Sequence, residues 1–181
     1  GAGISCGMPA ATGAVDRAWV EGASLGVRVI GGGKALGLCG SGLLDSVAAL
    51  RQLGLVDATG ACEENALPLS GSAVLTQQDV RALQLAKAAI AAGIDVLLQE
   101  ARLSPAQVDR LLLAGGFGTH LPLRSAAAIG LFPAVLASRA SAVGNAALDG
   151  AALLLSDVTL RPHASRLAAE ARVIELGGSG A

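Results

Sequence analysis

The stretch Val108-Asp-Arg-Leu-Leu-Leu-Ala-Gly-Gly-Phe-Gly118 decides how the rest of this 181-residue chain is interpreted. Three consecutive leucines, from Leu111 to Leu113, predict a short buried strand, and Gly115-Gly116-x-Gly118 follows it directly. Glycines at the end of a strand let a ligand approach the backbone where a Cβ atom would block it. In α/β sheets, ligands collect at this carboxyl edge. The stretch therefore predicts either a ligand-binding turn or a turn that serves packing alone.

The composition predicts an aliphatic core and excludes several kinds of partner. Hydrophobic residues make up 52% of the chain, which has no Tyr, one Trp and two Phe. The core must therefore be aliphatic and close-packed. The net charge is −1 and no basic cluster is present, so we expect no nucleic-acid partner. The apolar run 82–98 is interrupted by Gln84, Lys87 and Asp95, so we expect no membrane-spanning segment.

The cysteines Cys6, Cys39 and Cys62 are odd in number and have no Cys-x-x-Cys spacing. They are typical of reduced thiols, so the sequence predicts a cytoplasmic location. The same spacing favours neither a zinc site nor an iron–sulfur cluster, and we predict no metal ligands in this chain. The length suits one compact domain or two small lobes.

Alternating strands and helices predict an α/β fold in which helices flank a sheet. Thr76 is a predicted N-cap, with Asp79 completing a capping box, and Ser104-Pro105 predicts a short turn. The predicted strands are 27–30, 110–114, 140–143 and 172–176. The predicted helices are 10–19, 43–53, 76–101, 124–129, 146–155 and 163–171. We expect a loop over 57–75 and a disordered tail over 177–181.

Lys87 interrupts the apolar face of the longest predicted helix. That face is formed by residues that recur at spacings of three and four, namely Val80, Leu83, Lys87, Ile90, Ile94 and Leu97. Two interpretations remain open. Lys87 extends from the edge of the apolar face to solvent, or it lines a cleft together with Gln84, one turn earlier.

A second glycine motif, Gly40-Ser41-Gly42, precedes the helix predicted over 43–53. Free amides at a helix N-terminus form an anion-binding cradle, to which the Ser41 hydroxyl can add a donor. The motif lacks the Gly-Lys-Ser/Thr of a P-loop, so an ordinary capped turn is the alternative. Asn145 and Asp149 raise the same choice between ligand binding and helix capping. His120 and His163 are too isolated to predict a metal site or a catalytic triad.

The order of these segments resembles the second half of the sugar kinase, heat-shock chaperone and actin ATPase superfamily. The motifs on which this resemblance rests are Gln84-x-x-Lys87, the stretch from Leu103 to Gly116, and the segment from Asn145 to Ala152. The resemblance implies a ribonuclease-H-like sheet flanked by helices, as part of an actin-like ATPase fold. It places the adenosine side of an ATP site at Gln84, Lys87, Gly115, Gly116 and Asn145, and we count the neighbouring Phe117 among the nucleotide-binding residues. It places Gly40, Ser41 and Gly42 nearer the phosphates.

A closer resemblance is to the C-terminal domain of the reductive activators of corrinoid proteins. It is carried by Gly3-Ile-Ser-Cys-Gly-Met8, Arg28-Val-Ile-Gly-Gly-Gly-Lys34, Leu38-Cys-Gly-Ser-Gly-Leu-Leu-Asp45, Leu83-Gln-Leu-Ala-Lys-Ala-Ala-Ile90, Ala114-Gly-Gly-Phe-Gly118 and Val143-Gly-Asn145. Proteins of this family return an inactivated Co(II) corrinoid of a methyltransferase system to Co(I). The resemblance covers nearly the whole chain. It implies a corrinoid protein as the partner, and the Ala-rich surfaces leave a homodimer as a further alternative.

The resemblance also implies parts that this chain lacks. Family members carry a ferredoxin domain with a two-iron two-sulfur cluster, and phosphate loops that hold ATP with Mg²⁺, both expected upstream of Gly1. We therefore interpret 1–56 as the end of one ATPase lobe and 76–176 as the adenosine-side lobe. The catalytic residues are unknown, and we expect this chain alone to be inactive in ATP turnover.

Two other functions remain open. The chain could be a non-enzymatic binding or dimerisation module that keeps the ATPase fold only as a scaffold. A small-molecule kinase is less favoured, because the sequence offers no Asp placed as a base for a substrate hydroxyl.

Overall fold

A computed structural model describes residues 3–174 of the chain. Its strands are β1 (Ala14–Glu21), β2 (Ser24–Val29), β3 (Gly37–Leu38), β4 (Ala66–Ser70), β5 (Ala73–Thr76), β6 (Leu111–Leu113) and β7 (Ala140–Ala142). Its helices are α1 (Gly40–Gln52), α2 (Gln77–Ala101), α3 (Gly115–Thr119), α4 (Leu123–Ala128), α5 (Ala146–Ser156) and α6 (Arg161–Glu170). Short 3₁₀ turns cover Pro105–Gln107, Ala134–Arg139 and Val158–Leu160. The order of the elements confirms the predicted α/β class.

The helix predicted over 10–19 is wrong, because this region forms strand β1. β1 pairs antiparallel with β2, and Glu21 opposite Ser24 closes the hairpin around two residues. The indole of Trp19 lies across the hairpin on Gly26, where a Cβ atom would come within 2.6 Å of the ring. The pairing with β2 and the packing of α1 on β1 outweigh the local pattern that favoured a helix.

The loop predicted over 57–75 is also wrong in its second half, which forms the hairpin of β4 and β5. Leu67, Leu69, Ala73 and Leu75 point into the core with the period of two that a strand requires. Pro68 lies between them and is exposed. Proline is found in edge strands, so its presence hid a strand that alternation alone would have predicted.

Helix α2 begins as the sequence predicts. The Thr76 hydroxyl accepts from Asp79 N–H at 3.2 Å, and the Asp79 carboxylate accepts from Thr76 N–H at 2.9 Å, which completes the capping box. Val80 and Leu83 then pack into one apolar cluster that includes Val15 of β1 and residues of α1 and the β4–β5 hairpin. The cluster therefore contains residues from both of the predicted lobes, 1–56 and 76–176.

Further along, α2 exposes Leu85, Ile90 and Leu97. By length and composition alone, α2 is the one helix in residues 3–174 that could cross a membrane. Its first turns, however, pack in the core and carry hydrogen-bonded polar side chains.

Strands β6 and β7 pair in parallel, with Leu111 opposite Ala140 and Leu113 opposite Ala142. The chain between them passes through α3 and α4 and packs Ala126, Leu131, Phe132 and Leu136 into a second buried cluster. This confirms the predicted strands over 110–114 and 140–143. Of the strand predicted over 172–176, residues 172–174 form no strand, and the remainder lies outside the described residues, as does the tail predicted over 177–181.

Candidate functional site

The N-terminus of α1 presents backbone amides that lack a side-chain cap. Cys39 is the N-cap residue, and within residues 3–174 its side chain makes no capping hydrogen bond. The first helical hydrogen bond runs from Leu43 N–H to Cys39 O at 2.9 Å, so the amides of Gly40, Ser41 and Gly42 precede the helical bonding pattern. The Ser41 hydroxyl lies 3.2 Å from the Cys39 sulfur. Because Gly42 is buried, the amides of Gly40 and Ser41 are the donors that this terminus offers to an anion.

The glycine turn after β6 is the first turn of the short helix α3. Gly115 has a φ of +85°, which favours glycine. Its amide donates to Gly144 O at 2.7 Å, so the turn also contacts the second glycine segment, which follows β7. A Cβ atom on Gly116 would meet nothing within 4 Å. No packing reason in the described structure accounts for glycine at position 116.

The two glycine motifs meet at one cavity, which we call the glycine cavity. The Phe117 ring lies against Gly40, close enough that a Cβ atom there would be 2.7 Å from the ring. The cavity has a volume of about 210 Å³ and is lined by Met8, Pro9, Ala10, Cys39, Gly40, Ser41, Gly116, Phe117 and His120. The structure therefore brings four of the nine predicted site residues together: Gly40, Ser41, Gly116 and Phe117. Gly42 is buried and packs against Val15, and Gly115 lies in the turn but does not line the cavity.

Gln84 and Lys87 line a separate cavity, which we call the Lys87 cavity. It has a volume of about 50 Å³, and its lining includes Arg51 of α1, Asp57 and Ile129. Lys87 is half-buried, and its Nζ would lie 3.3 Å from a Cβ atom on Gly130. The two cavities share no lining residue. The resemblance grouped Gln84 and Lys87 with Gly115 and Gly116, and this structure does not bring the two pairs into one cavity.

Gln84 and Asn145 both have structural hydrogen bonds. The Gln84 amide donates to Thr59 O at 2.8 Å, and its oxygen accepts from Arg81 Nη1 at 2.8 Å. The Asn145 oxygen accepts from Leu148 N–H at 3.2 Å and so caps α5. Of the two roles left open for Asn145, the structure shows the capping role.

Comparisons with known proteins show the family to which the chain belongs. Residues 1–180 match the model of a protein family described as the C-terminal domain of RACo, the ASKHA domain. The chain belongs to this family. Its architecture is that of an ASKHA, or actin-like, domain, and this confirms the fold that the resemblance implied.

Two proteins similar to this ASKHA domain are named for corrinoid activation. The corrinoid activation enzyme RamQ of Eubacterium limosum is 31% identical in an alignment that covers 86% of this chain and 31% of RamQ. A solved structure of a reductive activator for corrinoid, iron-sulfur protein superposes with a TM-score of 0.84 at 32% identity, over 99% of this chain and 32% of that one. The chain thus spans about a third of the length of these relatives.

Several residues of the ASKHA domain's site are missing from the prediction. Met8 and Cys39 line the glycine cavity, and so does His120, which the sequence left without a role. The segment that carries Met8 is held by Asp79, whose carboxylate accepts from Ser5 N–H at 2.7 Å and from the Ser5 hydroxyl at 2.5 Å. Burial would raise the pKa of Asp79, but the hydrogen bonds from Ser5 and Thr76 together lower it below its usual value. The sequence predicted the contact of Asp79 with Thr76, which is close in the chain, but not its contact with Ser5.

The glycine cavity has a mostly apolar lining with a few hydrogen-bond donors for an anionic ligand. Its lining residues include free amides and a hydroxyl but no carboxylate. Among residues 3–174, no group of three or more His, Cys, Asp or Glu side chains is arranged to hold a metal ion.

Proposed function

We propose that this chain is the nucleotide-binding C-terminal part of an ATP-dependent reductive activator, which returns the Co(II) corrinoid of a methyltransferase system to Co(I). The observation that carries the proposal is the meeting of two glycine motifs, one from α1 and one from α3, at the glycine cavity. The names of the two relatives support the reaction, and their length supports an activity that belongs to a larger protein.

The residues of the glycine cavity fit a nucleotide phosphate. The amides of Gly40 and Ser41 at the start of α1 are free to donate hydrogen bonds to a phosphate and lie at the positive end of the helix dipole. Gly116 leaves room for a ligand to lie against the backbone. We propose that ATP binds with its phosphates at this edge and its adenosine toward Lys87. Mg²⁺, which would neutralise phosphate charge, finds no carboxylate ligand in the cavity, so we propose that its ligands come from the rest of the protein.

The nucleotide has a conformational role in this proposal. ATP that binds one arrangement of the lobes better than another shifts the protein toward that arrangement. The electron for cobalt would come from a two-iron two-sulfur cluster in a ferredoxin domain outside this chain. The corrinoid is the substrate, and a corrinoid protein is the proposed partner. A cytoplasmic location, consistent with the free cysteines Cys6, Cys39 and Cys62, and a homodimer remain proposals.

The test is calorimetric titration of the full-length protein with ATP and Mg²⁺, repeated with the Gly116→Ala variant. A methyl group at position 116 meets no protein atom within 4 Å, so we expect the fold to be kept and the affinity for ATP to fall about tenfold. Gly150→Ala in α5 is the matched control, because its Cβ atom also meets nothing.

Two results would contradict the proposal. If the Gly116→Ala and Gly150→Ala variants bind ATP with equal affinity, the nucleotide does not bind in the glycine cavity. No heat and no thermal shift with millimolar ATP would favour the scaffold module instead.

A further inference from the structure

Residues 57–62, which we call the cover segment, lie against α2 and are held there by three of its side chains. Gln77 accepts from Cys62 N–H at 2.8 Å and donates to Gly60 O at 2.8 Å. Arg81 Nη1 donates to Thr59 O at 3.1 Å, and Gln84 Nε2 donates to the same oxygen at 2.8 Å. Because residues 77, 81 and 84 are spaced by four and three, they form one face of the helix.

The contact between Gln84 and the cover segment is close. Gly60 is buried with a φ of +82°, and a Cβ atom there would overlap the Gln84 side chain. Only glycine therefore allows the segment to approach Gln84 in this way. Arg81 holds the Gln84 oxygen at 2.8 Å, which turns the amide nitrogen toward Thr59.

The cover segment has its own internal hydrogen bonds. Asp57 Oδ1 accepts from Thr59 N–H at 2.8 Å, from the Thr59 hydroxyl at 2.7 Å and from Ala61 N–H at 2.9 Å. These bonds do not involve α2. The segment can therefore leave α2 without losing its own turn.

The cover segment also limits the size of the Lys87 cavity. Asp57, Ala58 and Gly60 form one of its walls. Its volume of about 50 Å³ compares with roughly 300–1,000 Å³ for sites that enclose a drug-sized ligand. A nucleoside therefore does not reach Lys87 through this cavity while the segment is in place.

We infer that Gln84 is a positioning residue that holds the cover segment closed over Lys87, and that ATP reaches Lys87 only after the Gln84–Thr59 hydrogen bond opens. This inference rests on the proposed function and assigns Gln84 a role other than direct contact with adenosine. It also predicts that weakening the Gln84–Thr59 hydrogen bond increases the apparent affinity for ATP. If part of the population is closed, the apparent affinity for ATP is lower than the intrinsic affinity, and weakening the closure raises it.

The experiment compares Gln84→Ala, Gln84→Glu and the control Gln78→Ala in the full-length protein. Glutamate keeps an acceptor for Arg81 but cannot donate to Thr59 O. Gln78 is exposed on the same helix and makes no side-chain hydrogen bond among the described residues. We expect both Gln84 variants to bind ATP about threefold to tenfold more tightly, and Gln78→Ala to match the unsubstituted protein. Hydrogen exchange without nucleotide should be faster at the Cys62 amide, which donates to Gln77 of α2, in the two Gln84 variants.

Weaker ATP binding in Gln84→Ala would show that Gln84 contacts the ligand and would overturn the inference. Unchanged affinity, or unchanged exchange of the Cys62 amide, would also overturn it, because the segment would then not control access. Either result leaves the proposed function standing if the unsubstituted protein binds ATP. If that protein does not bind ATP, the proposed function fails and this inference fails with it.

Discussion

One glycine in each of the two motifs at the glycine cavity, Gly42 in the first and Gly116 in the second, illustrates a different physical reason for the residue type. At the start of α1, a Cβ atom on Gly42 would overlap Val15 O, so the helix could not lie as closely on β1. At the start of α3, a Cβ atom on Gly116 would meet nothing. The first glycine is thus required by the fold, whereas nothing in residues 3–174 requires the second.

This difference separates packing from ligand binding, which sequence analysis left as alternatives at both motifs. A glycine that packing already explains says little about a ligand. A glycine with free space around it is unexplained until a ligand is placed there. Gly116 is therefore the stronger evidence for a binding site, although Gly40-Ser41-Gly42 supplies the free amides.

The largest effect expected from this comparison is on stability, at Gly42. In Gly42→Ala, the added methyl group overlaps a backbone oxygen of β1, and neither buried element can move freely. We expect the free energy of unfolding to fall by about 3 kcal/mol or more, measured by chemical denaturation of the full-length protein. Gly116→Ala should change stability by less than about 0.5 kcal/mol. If both variants lost the same free energy of unfolding, packing would require glycine at both positions and the difference between the two motifs would not exist.

The next effect is on affinity, at Lys87. Lys87→Ala in the full-length protein should weaken ATP binding by about 1.5–3 kcal/mol, or about tenfold to a hundredfold, if the ammonium meets a polar group of the nucleotide. Stability should stay within about 0.5 kcal/mol, because the side chain is only half-buried. If Lys87 merely extends to solvent, affinity will not change and the melting temperature will stay equal or rise slightly.

The smallest effect concerns the pH dependence contributed by Asp79. Because the pKa of Asp79 is lowered in the folded protein, its contribution to stability is present above its unfolded pKa of about 3.9 and is lost as pH falls through its folded pKa. Asp79→Asn should cost about 1–2 kcal/mol at pH 7 and progressively less as the pH falls below about 4. Denaturation at pH 7 and at pH 3 checks this. A cost that does not depend on pH would show that the charge of Asp79 is not what holds Ser5.

The features that sequence predicted correctly are set by local contacts. The Thr76 and Asp79 capping box spans four residues, and the three leucines of β6 are followed at once by their glycine turn. Such patterns carry their own partners in the chain, so they fix the start of α2 and the edge at which the glycine cavity lies.

The features that sequence missed depend on distant partners. β1 is a strand because β2 pairs with it and α1 packs on it. The Ser5 contact with Asp79 joins residues 74 positions apart, and Gln84 is occupied by Thr59, 25 positions away. The residue types alone do not indicate which distant partners will come into contact. The separation of Lys87 from the glycine cavity could therefore not be predicted.

The indole of Trp19, lying on Gly26 of the β1–β2 hairpin, determines what ultraviolet spectroscopy can observe. The chain contains this single tryptophan and no tyrosine, so its fluorescence arises from one side chain that is 45% exposed. Trp19 lines neither the glycine cavity nor the Lys87 cavity. Emission from this chain therefore reports the melting of one hairpin. A nucleotide titration followed by intrinsic fluorescence can be silent even when the ligand is bound.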